Sequence, residues 1–300
     1  MKRAFRRKNF TYDHRQLIET CNDIIDQYMN QGYTLTLRQL YYQLVARAII
    51  PNDDRQYKRL GKVVADGRDC GLIDWDAIED RLRNLKGLQH WYSPEEIIEE
   101  SARIYRRDLW KGQDYYVEIW VEKDALGGVV QQTANELDCN WLACRGYMSQ
   151  SEMYAAGRRY ARMGQDVVVI HLGDHDPSGI DMTRDIGDRL ALYSGQRITI
   201  NRVALNFDQV EQYDPPPNPA KVTDSRYENY RIEYGDESWE LDALDPSTLD
   251  AIIKDAVEKY VDREEMDRQR ARMESEREAL ENVAANWDSI MTDYAPPDED

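Results

Sequence analysis

Between Tyr115 and Leu205 the apolar residues alternate between short runs of strand character and longer stretches with helical spacing. Strands are expected at Tyr115–Val121, Trp141–Cys144, Val167–Leu172 and Ile198–Leu205, with helices at Ala125–Leu137, Gln150–Met163 and Ile180–Tyr193 between them. A βαβαβαβ order of this kind calls for a parallel sheet with right-handed crossovers. Ligands of such sheets gather beyond the carboxyl ends of the strands, so the residues that follow each strand are where chemistry is expected.

Two strands end in acids there. The first runs into Val121-Glu122-Lys123-Asp124, the third into Gly173-Asp174-His175-Asp176-Pro177-Ser178-Gly179. An extended chain across Asp174 and Asp176 points both side chains the same way, and Glu122 reaches them if the two strands are neighbours. Three hard oxygen ligands at a wet mouth suit Mg²⁺, with Mn²⁺ as a substitute. Without a cation, clustered carboxylates repel and one tends to take up a proton. The plainer alternative makes Asp176 a helix cap and leaves Glu122 facing solvent. Cys139, Cys144, His171 and His175 loosely mimic zinc spacing, but His171 falls inside an apolar strand and His175 beyond a Gly-Asp turn, so no zinc site is expected.

The front reads differently. Leu17, Ile18, Cys21, Ile24, Ile25, Tyr28 and Met29 mark a helix over Gln16–Met29 closed by Gly32. Thr36 caps a second one with Leu37, Leu40, Tyr41, Leu44, Val45 and Ala48 inward, ending before Pro51. A third spans about Asp54–Asp69 and turns Arg55, Lys58, Arg59, Lys62 and Arg68 outward, before a short strand at Gly71-Leu72-Ile73. Three helices and a strand resemble a winged helix-turn-helix, with those five cations as DNA contacts; a merely solvated face is the alternative. On the second helix Tyr41 lies in the buried stripe, whereas Tyr42 sits roughly 130° from its centre, near Arg38 one turn earlier. A phenol beside a fixed guanidinium ionises more easily and can attack phosphorus while the arginine steadies the phosphate.

Composition bounds the remaining possibilities. Three hundred residues, 41% of them hydrophobic, suffice for two domains with cores of their own. No apolar run approaches a membrane span, the basic start Met1-Lys2-Arg3 lacks a secretory h-region, and the four cysteines show no disulfide pattern, so a reducing cytoplasm is expected. The net charge is −18, yet residues 1–110 hold about 19 Lys and Arg against about 17 Asp and Glu. An Arg-rich, near-neutral front is thus joined to an acidic rear, which is compatible with an anionic partner at the front. Pro215-Pro216-Pro217-Asn218-Pro219 reads as a stiff loop. Asp245 and Pro246 start a helix with the stripe Leu249, Ile252, Ile253, Ala256, Val257 and Tyr260. Charge dominates Asp262–Glu281, expected as a solvated helix or else a dimer arm or partner helix, and Tyr294–Asp300 as a disordered acidic tail.

These stretches carry a family likeness. Thr36-Leu37-Arg38-Gln39-Leu40-Tyr41-Tyr42 resembles the motif around the active tyrosine of the topoisomerase VI A subunit and of its relative that makes meiotic double-strand breaks. Val121-Glu122-Lys123-Asp124-Ala125 resembles that family's first Toprim acid motif, Arg145-Gly146-Tyr147 its glycine-tyrosine turn, and Gly173–Ile180 its Asp-x-Asp-Pro-x-Gly-Ile segment. Trp239-Glu240-Leu241-Asp242-Ala243-Leu244 is similar to its late Glu-Ile-x-Ala-Leu stretch, and all occur in the family's order.

The resemblance implies an α/β chain with a winged-helix domain at 1–112 carrying the tyrosine, a Toprim metal-binding domain of Rossmann-like layout at 113–245, and a C-terminal helix and tail at 246–300. It implies a homodimer on double-stranded DNA, with Tyr42 as nucleophile forming a 5′-phosphotyrosyl bond and Arg38 on the scissile phosphate. Glu122, Asp174 and Asp176 would bind Mg²⁺, and Glu122 would also move a proton to or from the leaving 3′ oxygen. In that family the tyrosine of one protomer meets the metal site of the other. No Walker-type loop is present, so strand passage would need a separate ATPase or regulatory subunit. Compared with the family the chain is short at its front, and Leu37 and Gln39 stand where Lys and an acid are frequent. A Toprim-type hydrolytic nuclease and a non-catalytic dimeric DNA-binding module are the rival expectations.

Overall fold

Thr11 opens the first helix by accepting the His14 N–H at 3.3 Å, so α1 (Tyr12–Met29) begins at Tyr12, earlier than its apolar period. A reciprocal capping box starts α2 (Leu37–Ala46): Gln39 N–H donates to Thr36 Oγ1 (3.2 Å) and Thr36 N–H to Gln39 Oε1 (2.8 Å). That box is the local reason for Gln39. Asp53 caps α3 (Asp54–Asp69), and the three helices pack on one another with Ile18, Ile25, Leu40, Leu44, Leu60 and Val64 buried.

The strand expected at Gly71–Ile73 does not form. The N–H groups of Leu72 and Ile73 both return to the Gly67 carbonyl (2.8 and 3.2 Å), which coils the chain round the end of α3 and buries Ile73. Gly71 permits this at φ +72°; a Cβ there would meet the Ala4 nitrogen at 2.9 Å. Among the described residues of this front segment the isolated bridges are Ala4 to Cys70 and Leu35 to Ile78.

The structure is a computed structural model that describes residues 2–78 and 90–294. These residues divide into two units, one of 2–78 with 116–260 and one of 90–115 with 261–294. After α4 (Pro94–Ile104) come β1 (Tyr115–Val121), a 3₁₀ turn at Asp124–Leu126, α5 (Gly127–Leu137), β2 (Asn140–Ala143), α6 (Gln150–Tyr160), β3 (Asp166–Leu172), α7 (Pro177–Ser194) and β4 (Thr199–Ala204). Then follow α8 (Phe207–Tyr213), β5 (Asn218–Pro219), α9 (Tyr227–Tyr234), β6 (Glu237–Ser238), a 3₁₀ turn at Leu241–Ala243, α10 (Pro246–Glu258), α11 (Arg263–Ala285) and α12 (Trp287–Tyr294).

In the first unit the strands stand in the order β2-β1-β3-β4, a four-stranded parallel sheet. Successive residues from Val117 to Val121 and from Val167 to Leu172 are all buried, so helices and loops cover both faces. Trp120, Val167 and Val169 pack with Met153, Tyr160, Ile186 and Leu190 of α6 and α7, while α5 packs with α10. The chain leaves β1 to one side for β2 and returns on the other side for β3. The switch point therefore lies between β1 and β3, at the ends that carry Glu122 and Asp174. The layout is α/β and compatible with a Rossmann-like arrangement.

In the second unit α11 packs along α4. Of its residues only Met266 and Ala284 are buried, and the pairing is made largely by charge: Arg107 holds Glu276 through two 3.0 Å bonds, and Tyr105 donates to the same carboxylate at 2.6 Å. The side chain of Gln113 accepts from Asp262 N–H and donates to Asp262 C=O (2.6 and 2.9 Å). The charged stretch expected to be solvated thus has a helical partner. Of the acidic tail expected at Tyr294–Asp300, residues 295–300 lie outside the described residues. No helix among the described residues is long and apolar enough to cross a membrane.

Candidate active site at the switch point of the sheet

Glu122 follows β1 directly, and its N–H donates to Leu172 C=O of β3 at 2.8 Å. Its carboxylate in turn accepts the Asp174 N–H at 2.8 Å, which fixes the two acids side by side. Arg202 of β4 clamps the same loop from below, donating to the carbonyls of Gly173 (3.0 Å), Asp174 (2.7 Å) and Gly179 (2.9 Å). Gly179 is obligatory for this packing, because a Cβ would stand 2.3 Å from the Asp174 carbonyl oxygen.

A distant segment closes the site. His175 and Trp239 exchange backbone bonds of 2.8 and 3.0 Å, and Leu241 N–H donates to Asp174 Oδ1 at 2.8 Å. Glu240 and the fully buried Asp242 are thereby set opposite Asp174. Lys123 Nζ lies among all three, 2.8 Å from Asp174 and 3.1 Å from Asp242, and it pairs with Glu240 as well. From α2, Arg38 reaches the same acids: Nη2 is 2.8 Å from Glu240 and Nε 2.7 Å from Asp242.

The sequence expectation placed Tyr42 on a polar, presented side of α2. The residue is instead buried, 6% exposed, because that side of the helix faces the 3₁₀ turn at Leu241–Ala243 and not water. Its ring stands edge-on to Tyr41 at 5.3 Å and carries the Arg38 guanidinium 5.6 Å from its centroid. Tyr41 spends its hydroxyl on Asn52 (3.0 Å) and Asp53 C=O (3.2 Å); the Tyr42 hydroxyl has no hydrogen-bond partner among the described residues, and Tyr42 lines a cleft. The anticipated easing of its ionisation is reversed. Burial, Glu240 and Asp242 outweigh Arg38 and Lys123 and push the phenol up to about 12.

The acids respond to crowding. Burial raises Asp174 to about 8, with Glu122, Glu240 and Asp242 adding to it against the pull of Lys123. Burial likewise raises Glu122, despite the Asp174 N–H and Lys123. Glu240 is half-buried, yet Lys123 and Arg38 hold it low. Asp176 is the N-cap of α7: its Oδ1 accepts from Gly179 N–H (2.6 Å) and Ser178 Oγ (3.0 Å). Among the described residues no three Asp, Glu, His or Cys side chains converge closely enough to hold an ion in this arrangement. The donor set nevertheless fits a divalent cation in charge. Five carboxylates, Glu122, Asp174, Asp176, Glu240 and Asp242, face three cations, Lys123, Arg38 and Arg202, a formal deficit of two.

Of the cations expected to meet DNA, Arg55, Lys58, Arg59 and Lys62 are exposed on α3, with no ion-pair partner among the described residues. Arg68 is turned away: it stacks on Trp75 (5.5 Å) and donates to the carbonyls of Trp75 and Ile78. Sequence reasoning gave no role to Lys123, Arg202, Glu240 or Asp242. The first adjoins Glu122, and the last two lie in a stretch whose likeness was visible, but nothing local shows that they meet. The sequence matches no protein-family model and no curated protein.

Proposed function

We propose that this chain is a divalent-cation-dependent, DNA-cleaving transesterase similar to the topoisomerase VI A subunit, acting as a homodimer on double-stranded DNA. One observation carries the reading: Arg38 joins the helix that bears Tyr42 to the acids at the sheet's switch point, so the proposed nucleophile and phosphate ligand adjoin the carboxylates within one protomer, whereas the resemblance implies a tyrosine that meets the partner protomer's metal site. A winged helix for the front and a Toprim fold for the sheet belong to the same proposal, as does a separate ATPase or regulatory subunit for any strand passage.

Arriving phosphate exchanges the carboxylate partners of Arg38 for its own oxygens. Tyr42 Oη then attacks phosphorus; the P–Oη bond forms, the bond from phosphorus to the 3′ oxygen breaks, and the phenolic proton ends on that 3′ oxygen. Burial raises Glu122, which suits it to move that proton to or from the 3′ oxygen. Glu122, Asp174 and Asp176 would hold Mg²⁺ or Mn²⁺, which supplies positive charge against the transferring phosphate. Two such sites in a dimer cut both strands.

The protonated, buried state of Tyr42 favours one second reading, a Toprim-type hydrolytic nuclease in which water attacks and Tyr42 only contacts DNA. Supercoiled plasmid incubated with Mg²⁺ or Mn²⁺, stopped with detergent and run with and without protease, separates the two. The transesterase leaves protein on the broken ends, and both Tyr42→Phe and Asp174→Asn abolish the breaks. Protein-free breaks that survive Tyr42→Phe but not Asp174→Asn assign the hydrolytic reaction. An intact plasmid under every condition leaves a DNA-binding module or a cleavage that needs the separate subunit.

A further inference from the structure

The cleft beside Tyr42, about 370 Å³, is large enough for a small ligand and is not filled by the residues that carry the chemistry. Three aromatic rings line it: Tyr41 stands edge-on to both Tyr42 and Tyr57, each at 5.3 Å. Asp53, Asp54 and Glu240 also line it, and its one cation, Arg38, is already matched by Glu240 and Asp242. Away from Arg38, walls of that charge welcome N–H donors.

A relay of hydrogen bonds orders the far wall. Tyr41 Oη donates to Asn52 Oδ1 (3.0 Å), and Asn52 Nδ2 donates to Asn218 Oδ1 (2.6 Å). With its oxygen committed, Asn218 keeps an amide NH₂ that has no acceptor among the described residues. Aromatic faces, acceptors for an amine and one spare amide donor are what an unstacked base needs.

We infer that this cleft receives a single unstacked nucleobase bearing an exocyclic amine, next to the phosphate held by Arg38. The inference rests on the DNA-cleaving reading above. The ring stacks against Tyr57, the one of the three tyrosines that is not buried, Asn218 donates to a ring nitrogen or carbonyl, and the acidic wall accepts from the amine.

Fluorescence anisotropy with Ca²⁺ in place of Mg²⁺ tests it on three duplexes of one sequence: fully paired, with a single bulged adenine, and with a bulged abasic sugar. The bulged adenine is already unpaired, so the full-length protein should bind it about tenfold tighter than the abasic bulge. Asn218→Ala and Tyr57→Leu, each checked for native circular dichroism, should bring that ratio close to one. Asn218→Ser serves if either variant fails to fold. Equal affinity for adenine and abasic bulges overturns the base cleft while leaving the DNA reading in place. A preference for adenine untouched by the folded variants places the base elsewhere and also overturns it. Failure to bind any of the three duplexes overturns both.

Discussion

Arg38 Nη2 lies 2.8 Å from Glu240 Oε2, joining residues 202 positions apart in the chain. With Lys123 the pair forms a network of two cations on three carboxylates in which Asp242 is wholly buried. The tyrosine helix and the sheet's acids are therefore held as one body by charge as well as by packing.

Removing the ammonium at the centre exposes the cost of that arrangement. Lys123→Met leaves Asp174 without its ion-pair partner and Glu240 and Asp242 with Arg38 alone, and should lower unfolding free energy by about 3 to 5 kcal/mol in denaturant titration with EDTA. Mn²⁺ should recover part of the loss, since it supplies the charge removed. A variant as stable as the parent would mean that the network does not hold the fold.

Asp174 sets a pH dependence with a definite sign. Burial raises it to about 8, so the folded chain keeps a proton there that the unfolded chain releases near pH 4. This contribution is complete below the unfolded value and is lost as pH rises through about 8. His171 and His175, lowered by burial to about 3 and about 4, act oppositely below about pH 6.5 and are neutral in both states above it. From about pH 7 to about pH 9 in EDTA, the melting temperature should therefore fall, and less steeply in Asp174→Asn. Equal slopes would assign the dependence to another group.

The two neighbouring tyrosines should part company under mutation. Tyr41→Phe loses bonds to Asn52 and the Asp53 carbonyl and should cost about 1 kcal/mol. Tyr42→Phe removes a hydroxyl without a partner among the described residues and should change stability by less than about 0.5 kcal/mol. Denaturation midpoints of the two variants decide it, and a large loss for Tyr42→Phe would reveal a structural role for that hydroxyl.

The exposed cations of α3 and the folded-back Arg68 should also differ. Lys58→Ala and Lys62→Ala together should reduce the slope of log affinity for duplex DNA against log salt by about two, one phosphate contact each. Arg68→Ala should instead act on stability, because it releases the loop at Trp75 and Ile78. An unchanged salt slope in the double variant would move the DNA footprint off this helix.

Much of the chain's local structure was legible in its residues, because caps and apolar periods act within a few positions. Thr36, Asp176 and Asp245 start helices through their own side chains, and the strand runs of β1 and β3 need only be apolar enough to be buried on both faces. From that alone followed the parallel sheet and the placing of Glu122 and Asp174 at strand ends. The 3₁₀ turn at Leu241–Ala243 has too short a period to announce a partner, yet its docking on His175 and Asp174 brings Glu240 and Asp242 to Lys123 and Arg38. The same docking buries Tyr42 on a face that helix phase assigns to water, and turns its expected acidity the other way. Which elements the chain forms was set by neighbours in sequence; which charges face one another was set only by long-range packing, where burial multiplies the energy of every pair.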